Sequence, residues 1–247
     1  MNLKLKKKLL IFTTIIIAIF LVNKIYISLK DKVNSNMITK LTGQIYYTKR
    51  VDGILNLYKF DTNSQKEQLV YSHKGRGKLK DGDYNDNIND FCYDIKSGDI
   101  KFAAMNNGDW SLFSIKKGDK DAKYVSKLGL ESSNQLTMID TDYIKNEVAN
   151  VKVIKKKGSI YIEKDGQEKC LIKFNGLYDE KFTGYSPIGF SSNGKYFVYL
   201  SMGHLTPIGT FIEGIIKGNV GKTYIMDMET GKSARFIDCQ RIQWVMN

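Results

Sequence analysis

Residues 186–201, SPIGFSSNGKYFVYLS, and residues 223–237, TYIMDMETGKSARFI, decide the fold of this chain. The Asn-Gly pair at 193–194 suits the positive φ angles of a tight hairpin turn. After that turn, apolar side chains alternate from Tyr196 to Leu200, so a strand would place every second one on the same face. The second stretch alternates in the same way. The two stretches therefore predict consecutive strands of one sheet.

The turns of this unit resemble those of a TolB-like β-propeller blade, whose first strand ends in a Ser-Pro-Asp-Gly-Lys-like turn. Ser191–Lys195 match that turn, with Ser in place of Pro and Asn in place of Asp. Asp227 and Thr230–Lys232 match the aspartate and the Thr-Gly-Lys turn between the last two strands. The resemblance covers about 55 C-terminal residues. It implies a propeller fold, which serves as a binding platform as well as an accessory of enzymes.

A looser pattern recurs along the chain: a short strand with an aromatic residue near its start, a polar turn and a second short strand. Its copies begin at Leu57, Leu112, Ile160 and Thr223. A propeller blade of four strands needs about 40 to 50 residues, which these spacings provide with some room for loops. We therefore predict an all-β, β-propeller-like fold with about four visible blades. An open stack of sheets or a sandwich is the alternative.

The two ends of this domain are complementary. The first unit opens at Gly43 and lacks the strand that comes before this position in the last blade. Residues 240–246 add a strand after the last blade, with Trp244 where the first strand of a further blade would carry its aromatic residue. We predict that residues 240–246 complete the first blade, because this pairing would hide two exposed sheet edges.

The first thirty residues predict a targeting segment. Four lysines (Lys4, Lys6, Lys7, Lys8) precede the apolar run Leu9–Val22, and apolar character resumes as far as residue 29. Positive residues resist translocation, and no small-residue cleavage site follows the run. We expect one uncleaved transmembrane signal anchor that contacts the membrane through residues 9–29. A cleaved signal peptide and a buried core helix are the alternatives.

This reading divides the chain into three parts. Residues 1–30 form a cytoplasmic basic tip and the anchor, residues 31–40 a polar spacer, and residues 41–247 an extracytoplasmic propeller-like domain. The protein is thus expected in the cell membrane as a single-pass protein whose C-terminal domain lies outside the cytoplasm.

The chain is basic, with a formal net charge of +12, but half of that charge comes from six lysines in residues 1–30. The charge of the remainder reflects either a coding bias towards lysine or attraction to anionic wall polymers and lipid headgroups. Nucleic acid is not expected as a partner, because the basic domain would lie outside the cytoplasm.

Catalytic and metal-binding residue types are scarce. The three cysteines (Cys92, Cys170 and Cys239) lie far apart and form no metal-binding pair. They are expected as buried free thiols. With only two histidines in the chain, most histidine-dependent catalysis and zinc chemistry lack their ligands. The chain is therefore more readily interpreted as a protein without enzymatic activity.

One acidic stretch, residues 81–90, is partly like a calcium-binding loop. Asp81, Asp83 and Asn85 stand at alternating positions. Such a loop needs Gly at its sixth position and Glu at its twelfth, which here are Asp86 and Cys92. The stretch is either a solvated turn or a weak calcium site, and no other cofactor is expected.

Residues 202–222 separate two strands that a few residues would normally join. This segment is rich in apolar side chains, which are Leu205, Ile208, Phe211, Ile212 and Ile215. It either folds back over its own blade or forms a flap that binds a partner, because exposed apolar patches mark interaction sites.

The leading functional hypothesis is a membrane-anchored, extracytoplasmic propeller that binds a protein or envelope ligand without catalysis, as a binding or scaffold module. The alternative is a cell-envelope enzyme that acts on carbohydrate or wall polymer through loop carboxylates such as Asp90, Asp140 and Asp142. A third hypothesis is a structural subunit of an envelope assembly.

Overall fold

The computed structural model describes residues 3–31, 35–74, 87–129, 145–146, 150–174, 184–202 and 221–245. The described chain is mostly β. Two helices, α1 (Leu3–Asp31) and α2 (Ser35–Ile38), precede the strands. The strands form four antiparallel sheets of four strands each, which we number as blades 1 to 4.

The bounds of the strands follow the chain order. Blade 1 contains β1 (Gln44–Val51), β2 (Ile54–Asp61) and β3 (Lys66–Tyr71), and blade 2 contains β4 (Asp90–Tyr93), β5 (Ile100–Asn106), β6 (Asp109–Ile115) and β7 (Lys123–Lys127). Blade 3 contains β8 (Lys145–Asn146), β9 (Val151–Lys156), β10 (Ser159–Lys164) and β11 (Gln167–Ile172). Blade 4 contains β12 (Gly184–Phe190), β13 (Tyr196–Met202), β14 (Gly221–Asp227) and β15 (Ser233–Arg235), and β16 (Arg241–Val245) follows it.

Each copy of the repeat begins on the third strand of a sheet. Leu57 lies on β2, Leu112 on β6, Ile160 on β10 and Thr223 on β14. The predicted hairpin of blade 4 is present as well, because β12 and β13 pair around the turn Ser191–Lys195. The prediction of four β-sheet units, each built from meandering strands, is thus confirmed.

Both faces of β13 are buried. Tyr196 and Val198 belong to the hydrophobic cluster between blades 4 and 1. Phe197 and Tyr199 belong to a second cluster, between blades 3 and 4. A central strand of a propeller blade packs on two neighbours, which explains why this stretch is almost continuously apolar.

The C-terminal strand completes blade 1. β16 pairs antiparallel with β1, from Gln44 opposite Val245 to Thr48 opposite Arg241. The sheet order is therefore β16-β1-β2-β3, with the last strand of the chain innermost. The prediction that residues 240–246 complete the first blade is confirmed over the five residues of β16.

β16 also contacts the neighbouring blades. The Gln243 side chain accepts a hydrogen bond from the Tyr93 amide at 2.7 Å and donates one to the Tyr93 carbonyl at 2.8 Å. On the other side, Trp244 forms a parallel bridge with Ser191, and its ring stacks on Tyr196 at 5.2 Å. The inner strands of blades 4, 1 and 2 thus run side by side in one direction, as in a propeller.

The segment before the first strand packs on the same cluster. Met37 of α2 and Leu41 are buried among the residues between blades 4 and 1. The Gln65 side chain, in the turn between β2 and β3, donates to the Ile38 carbonyl at 3.2 Å. Trp244 Nε1 donates to the Thr42 carbonyl at 2.8 Å. The chain therefore enters the domain beside that turn.

The predicted fold class needs a correction at its N-terminal end. α1 is a helix, but among the residues that the structure describes no helix has the length and apolar character needed to cross a membrane. The described side chains of α1 begin with four lysines, and the apolar run Leu9–Val22 that follows is shorter than the about 20 residues that a bilayer core requires. The predicted transmembrane helix is therefore wrong, and the fold is mostly β with two helices.

Candidate interaction surface at the loop end

The connections between strands differ in length at the two ends of the blades. At one end, which we call the turn end, the described connections are short hairpins such as 62–65, 191–195 and 228–232. The opposite end, the loop end, receives the blade-to-blade connections and the links between the second and third strands. Four long connections join strands there, which are residues 72–89, 128–144, 173–183 and 203–220.

Every functional residue predicted from the sequence lies in or next to these long connections. Leu205, Ile208, Phe211, Ile212 and Ile215, the predicted metal ligands Asp81, Asp83 and Asn85, and the carboxylates Asp140 and Asp142 fall outside the described residues. Their flanking strands nevertheless end at the loop end. In the described ranges, no group of three or more His, Cys, Asp or Glu side chains could hold a metal ion.

Asp90 is the predicted carboxylate that the structure does describe. It is the first residue of β4 and is fully buried. Its Oδ1 lies 3.8 Å from Nε of Arg241, the first residue of β16, and accepts the Phe91 amide at 3.0 Å. The two inner strands thus begin with an ion pair that joins blades 1 and 2. A carboxylate held this way stabilises the junction and is poorly placed to exchange protons with a bulky substrate.

Polar atoms without partners lie near the same end of blade 1. Thr48 Oγ1 and Asn56 Oδ1 are buried and have no hydrogen-bond partner among the described residues. Thr48 stands opposite Arg241 in the sheet, so both side chains leave the same face. Buried acceptors of this kind are rare in folded proteins, and these two lie beside the loop end.

Blade 3 presents lysines at the loop end. Lys155, Lys156 and Lys157 are all exposed, at the turn between β9 and β10. Lys155 Nζ lies 3.0 Å from Ser186 Oγ of blade 4, and Lys156 pairs with Glu168. This turn therefore places positive charge at the junction of two blades.

The backbone of that turn is held firmly against blade 4. The Tyr185 amide donates to the Gly158 carbonyl at 2.8 Å. Gly184 approaches Gly158 so closely that a Cβ on Gly184 would lie 2.5 Å from the Gly158 Cα. Glycine is thus required at position 184, and the lysine turn has a fixed position.

The thiols and the described histidine have structural environments. Cys239 is buried, and its burial raises the pKa of the thiol to about 12. Cys92 is half-buried with a raised pKa, first because of burial and then because of Asp94 and Asp90. Cys170 is exposed, and all three are free thiols. The expectation of buried free thiols therefore holds fully only for Cys239.

His73 is buried against aromatic rings, with its Nε2 at 2.8 Å from the Met105 carbonyl. Its ring lies 4.7 Å from that of Phe113. A histidine packed in this way belongs to the core of blade 2 rather than to a reactive site. The described residues thus offer charged and polar contact groups at the loop end.

The chain has low similarity to known proteins. No family model matches it, and no curated protein matches it. Among solved structures, TolB from Acinetobacter baumannii is 12% identical with a TM-score of 0.25, over 78% of this chain and 41% of that protein. The tricorn protease is 12% identical with a TM-score of 0.31, over 79% of this chain and 22% of that protein.

An oligogalacturonate lyase in complex with manganese is 12% identical with a TM-score of 0.21, over 78% of this chain and 61% of that protein. The structural neighbours thus include TolB-like propeller proteins and enzymes, and the chain spans less than two thirds of each of these three. Matches at this level of similarity do not assign an activity to the chain.

Proposed function

We propose that this protein is a non-catalytic binding or scaffold module that takes a protein or cell-envelope ligand at the loop end of its blades. The observation that carries the proposal is the asymmetry of the connections: the four long ones join strands at one end, and short hairpins occupy the other. Binding residues concentrate on long connections that a rigid scaffold holds in place. The buried ion pair of Asp90 supports binding over catalysis, because its carboxylate is already engaged.

We also propose that α1 holds the protein at a lipid surface. Its large apolar side chains are exposed over the whole run from Leu9 to Val22, with Leu10 at 69% and Phe12 at 62%. Exposed apolar surface on this scale seeks an apolar environment, and the lysines before it suit anionic headgroups. A position of the blades outside the cytoplasm stays a prediction.

Co-sedimentation with purified bacterial cell walls tests the proposed ligand class. In one variant, an Asn-Gly turn replaces residues 203–220, since Met202 and Gly221 stand opposite each other in the sheet. The matched control replaces Asp119, Lys120 and Asp121, in a turn-end hairpin, with serine. We expect the full chain and the control to sediment with the walls and the loop variant to stay in solution.

The same samples test the alternative of an envelope enzyme. Release of reducing sugar from the walls by the full chain would contradict a non-catalytic role. Equal sedimentation of the loop variant and the full chain would contradict binding through residues 203–220. Thermal unfolding of each variant by circular dichroism shows whether the blades remain folded.

A further inference from the structure

Three blades carry a two-residue turn at equivalent positions of the loop end. These turns are Asp52–Gly53 in blade 1, Asn107–Gly108 in blade 2 and Lys157–Gly158 in blade 3. Their first residues have φ angles of 50°, 52° and 49°. Asparagine and aspartate tolerate this left-handed conformation well, whereas a long side chain such as lysine does so poorly.

The opposite turn of the same blade follows the usual preference. Asp165, before Gly166 at the turn end of blade 3, has a φ of 52°. Lys157 is therefore a departure from the residue types that the chain uses at three other turns of this geometry. Conformational preference does not account for it, and residues in such strained conformations cluster at functional sites.

The surroundings of Lys157 are positively charged. Residues 151–173 contain seven lysines and three carboxylates. Lys155, Lys156, Lys157 and Lys173 are all exposed towards the loop end. Because Gly158 is bonded to blade 4, the turn presents its lysines from a fixed backbone.

The lysines indicate the chemistry of the ligand. Residues 151–173 contain no arginine, the residue whose planar fork matches carboxylates in pairs of hydrogen bonds. A lysine ammonium is a compact point charge that suits the oxygens of a phosphate. Single-stranded nucleic acid would in addition need a free aromatic platform. Here Lys156 Nζ lies 5.7 Å above the ring of Tyr161 and covers that face.

We propose that the lysine turn of blade 3 binds a phosphate-bearing polymer of the cell envelope, in which phosphodiesters link polyol units. This proposal rests on the proposed function, because it names the ligand of the loop end. The departure at Lys157 then has a reason: its charge contributes to binding at some cost to the turn.

Substitution of Lys157 tests both halves of this statement. Binding of poly(glycerol phosphate) to the full chain is measured by calorimetry at 50 mM and 300 mM salt. Lys157→Asn should weaken binding about fivefold at low salt, as expected for one lysine near an anionic surface, and should raise the melting temperature. Lys157→Arg should keep most of the binding. Higher salt should reduce the difference between variants.

Lys164→Asn is the matched control, because it removes an exposed lysine of the same blade beside the turn-end hairpin at Asp165–Gly166. It should leave binding unchanged. An equal loss in both asparagine variants would reduce the effect to net charge and overturn the proposal. A melting temperature that does not rise in Lys157→Asn would remove the conformational argument for it.

Two further probes identify the chemistry of the ligand. Equal affinity for polygalacturonate would overturn the choice of phosphate over carboxylate, and tighter binding of a single-stranded oligonucleotide would overturn the choice of an envelope polymer. If Lys157→Asn binds like the native chain while replacement of residues 203–220 abolishes wall binding, this proposal fails and the proposed function stands. If neither change affects binding, both fail.

Discussion

Trp244 is the residue on which three parts of the chain converge. Its ring stacks on Tyr196 of blade 4 with an interplanar angle of 4°, and its Nε1 donates to Thr42 before the first strand. The residue is only 3% exposed. A stacked pair of aromatic rings contributes stability beyond the area that it buries, so Trp244 links the closing strand to both neighbours.

We predict that Trp244→Ala lowers the free energy of unfolding by about 3 to 5 kcal/mol, the usual loss for a buried aromatic side chain. The Thr42 carbonyl would also lose its donor. Urea unfolding followed by circular dichroism measures the effect.

Trp110, the other tryptophan of the chain, provides the control for this substitution. It is half-buried on β6, so Trp110→Ala should cost only about 1 kcal/mol. Similar losses in the two variants would show that Trp244 has no special role in closure.

At the residue scale, the sequence predicted Trp244 because an aromatic residue recurs at that position of the repeat. It could not predict that Gln243 hydrogen-bonds Tyr93, or that Arg241 pairs with Asp90. These pairs are about 150 residues apart, and a repeat pattern specifies each blade without specifying the contacts between blades. The candidate surface was foreseen in part, since its long connections were visible, while the lysine turn needed the alignment of turns from different blades.

At the scale of elements, β16 is the strand whose loss should have the largest effect. Without it, β1 would expose its inner edge, and Ile242, Trp244 and Val245 would leave the buried clusters. An exposed edge of this kind invites aggregation. We predict that deletion of residues 241–247 abolishes cooperative thermal unfolding, measured by calorimetry, and that deletion of residues 246–247 alone does not.

A peptide of residues 240–247 sharpens this test, because strand addition to an open edge restores main-chain hydrogen bonds. The peptide should bind the truncated chain and leave the full chain unbound. A truncated chain that melts cooperatively without the peptide would contradict closure by β16.

The helix α2 shows where elements escape sequence analysis. It has four residues, fewer than an isolated helix needs to be stable in water. Its sequence, SNMI, has no periodicity from which a helix could be predicted. The buried side chain of Met37 holds it in place, so its existence depends on tertiary packing that a local pattern does not contain.

At the scale of the whole molecule, the position of α2 relates α1 to the candidate surface. α2 lies beside the turn between β2 and β3, at the turn end. Three residues separate Asp31 from Ser35, so the end of α1 lies within about 14 Å of α2, the reach of the intervening chain. The strands rise about 3.3 Å per residue, so the loop end is about 25 Å farther away. A lipid surface held by α1 would therefore lie nearer the turn end.

This geometry predicts a gradient of distance from vesicles that contain phosphatidylglycerol and a fluorescent acceptor lipid. Donor dyes at Lys123→Cys and Lys127→Cys, at the turn end and the loop end of β7, would report it after Cys92 and Cys170 are replaced by serine. Cys239 can stay, because its buried thiol, with a pKa of about 12, does not react near neutral pH. Energy transfer should be stronger from position 123 than from position 127. Phe12→Glu with Ile16→Glu on α1 should abolish both signals. Stronger transfer from position 127 would turn the loop end towards the lipid, and the exposed lysines of blade 3 would then face headgroups instead of a wall polymer.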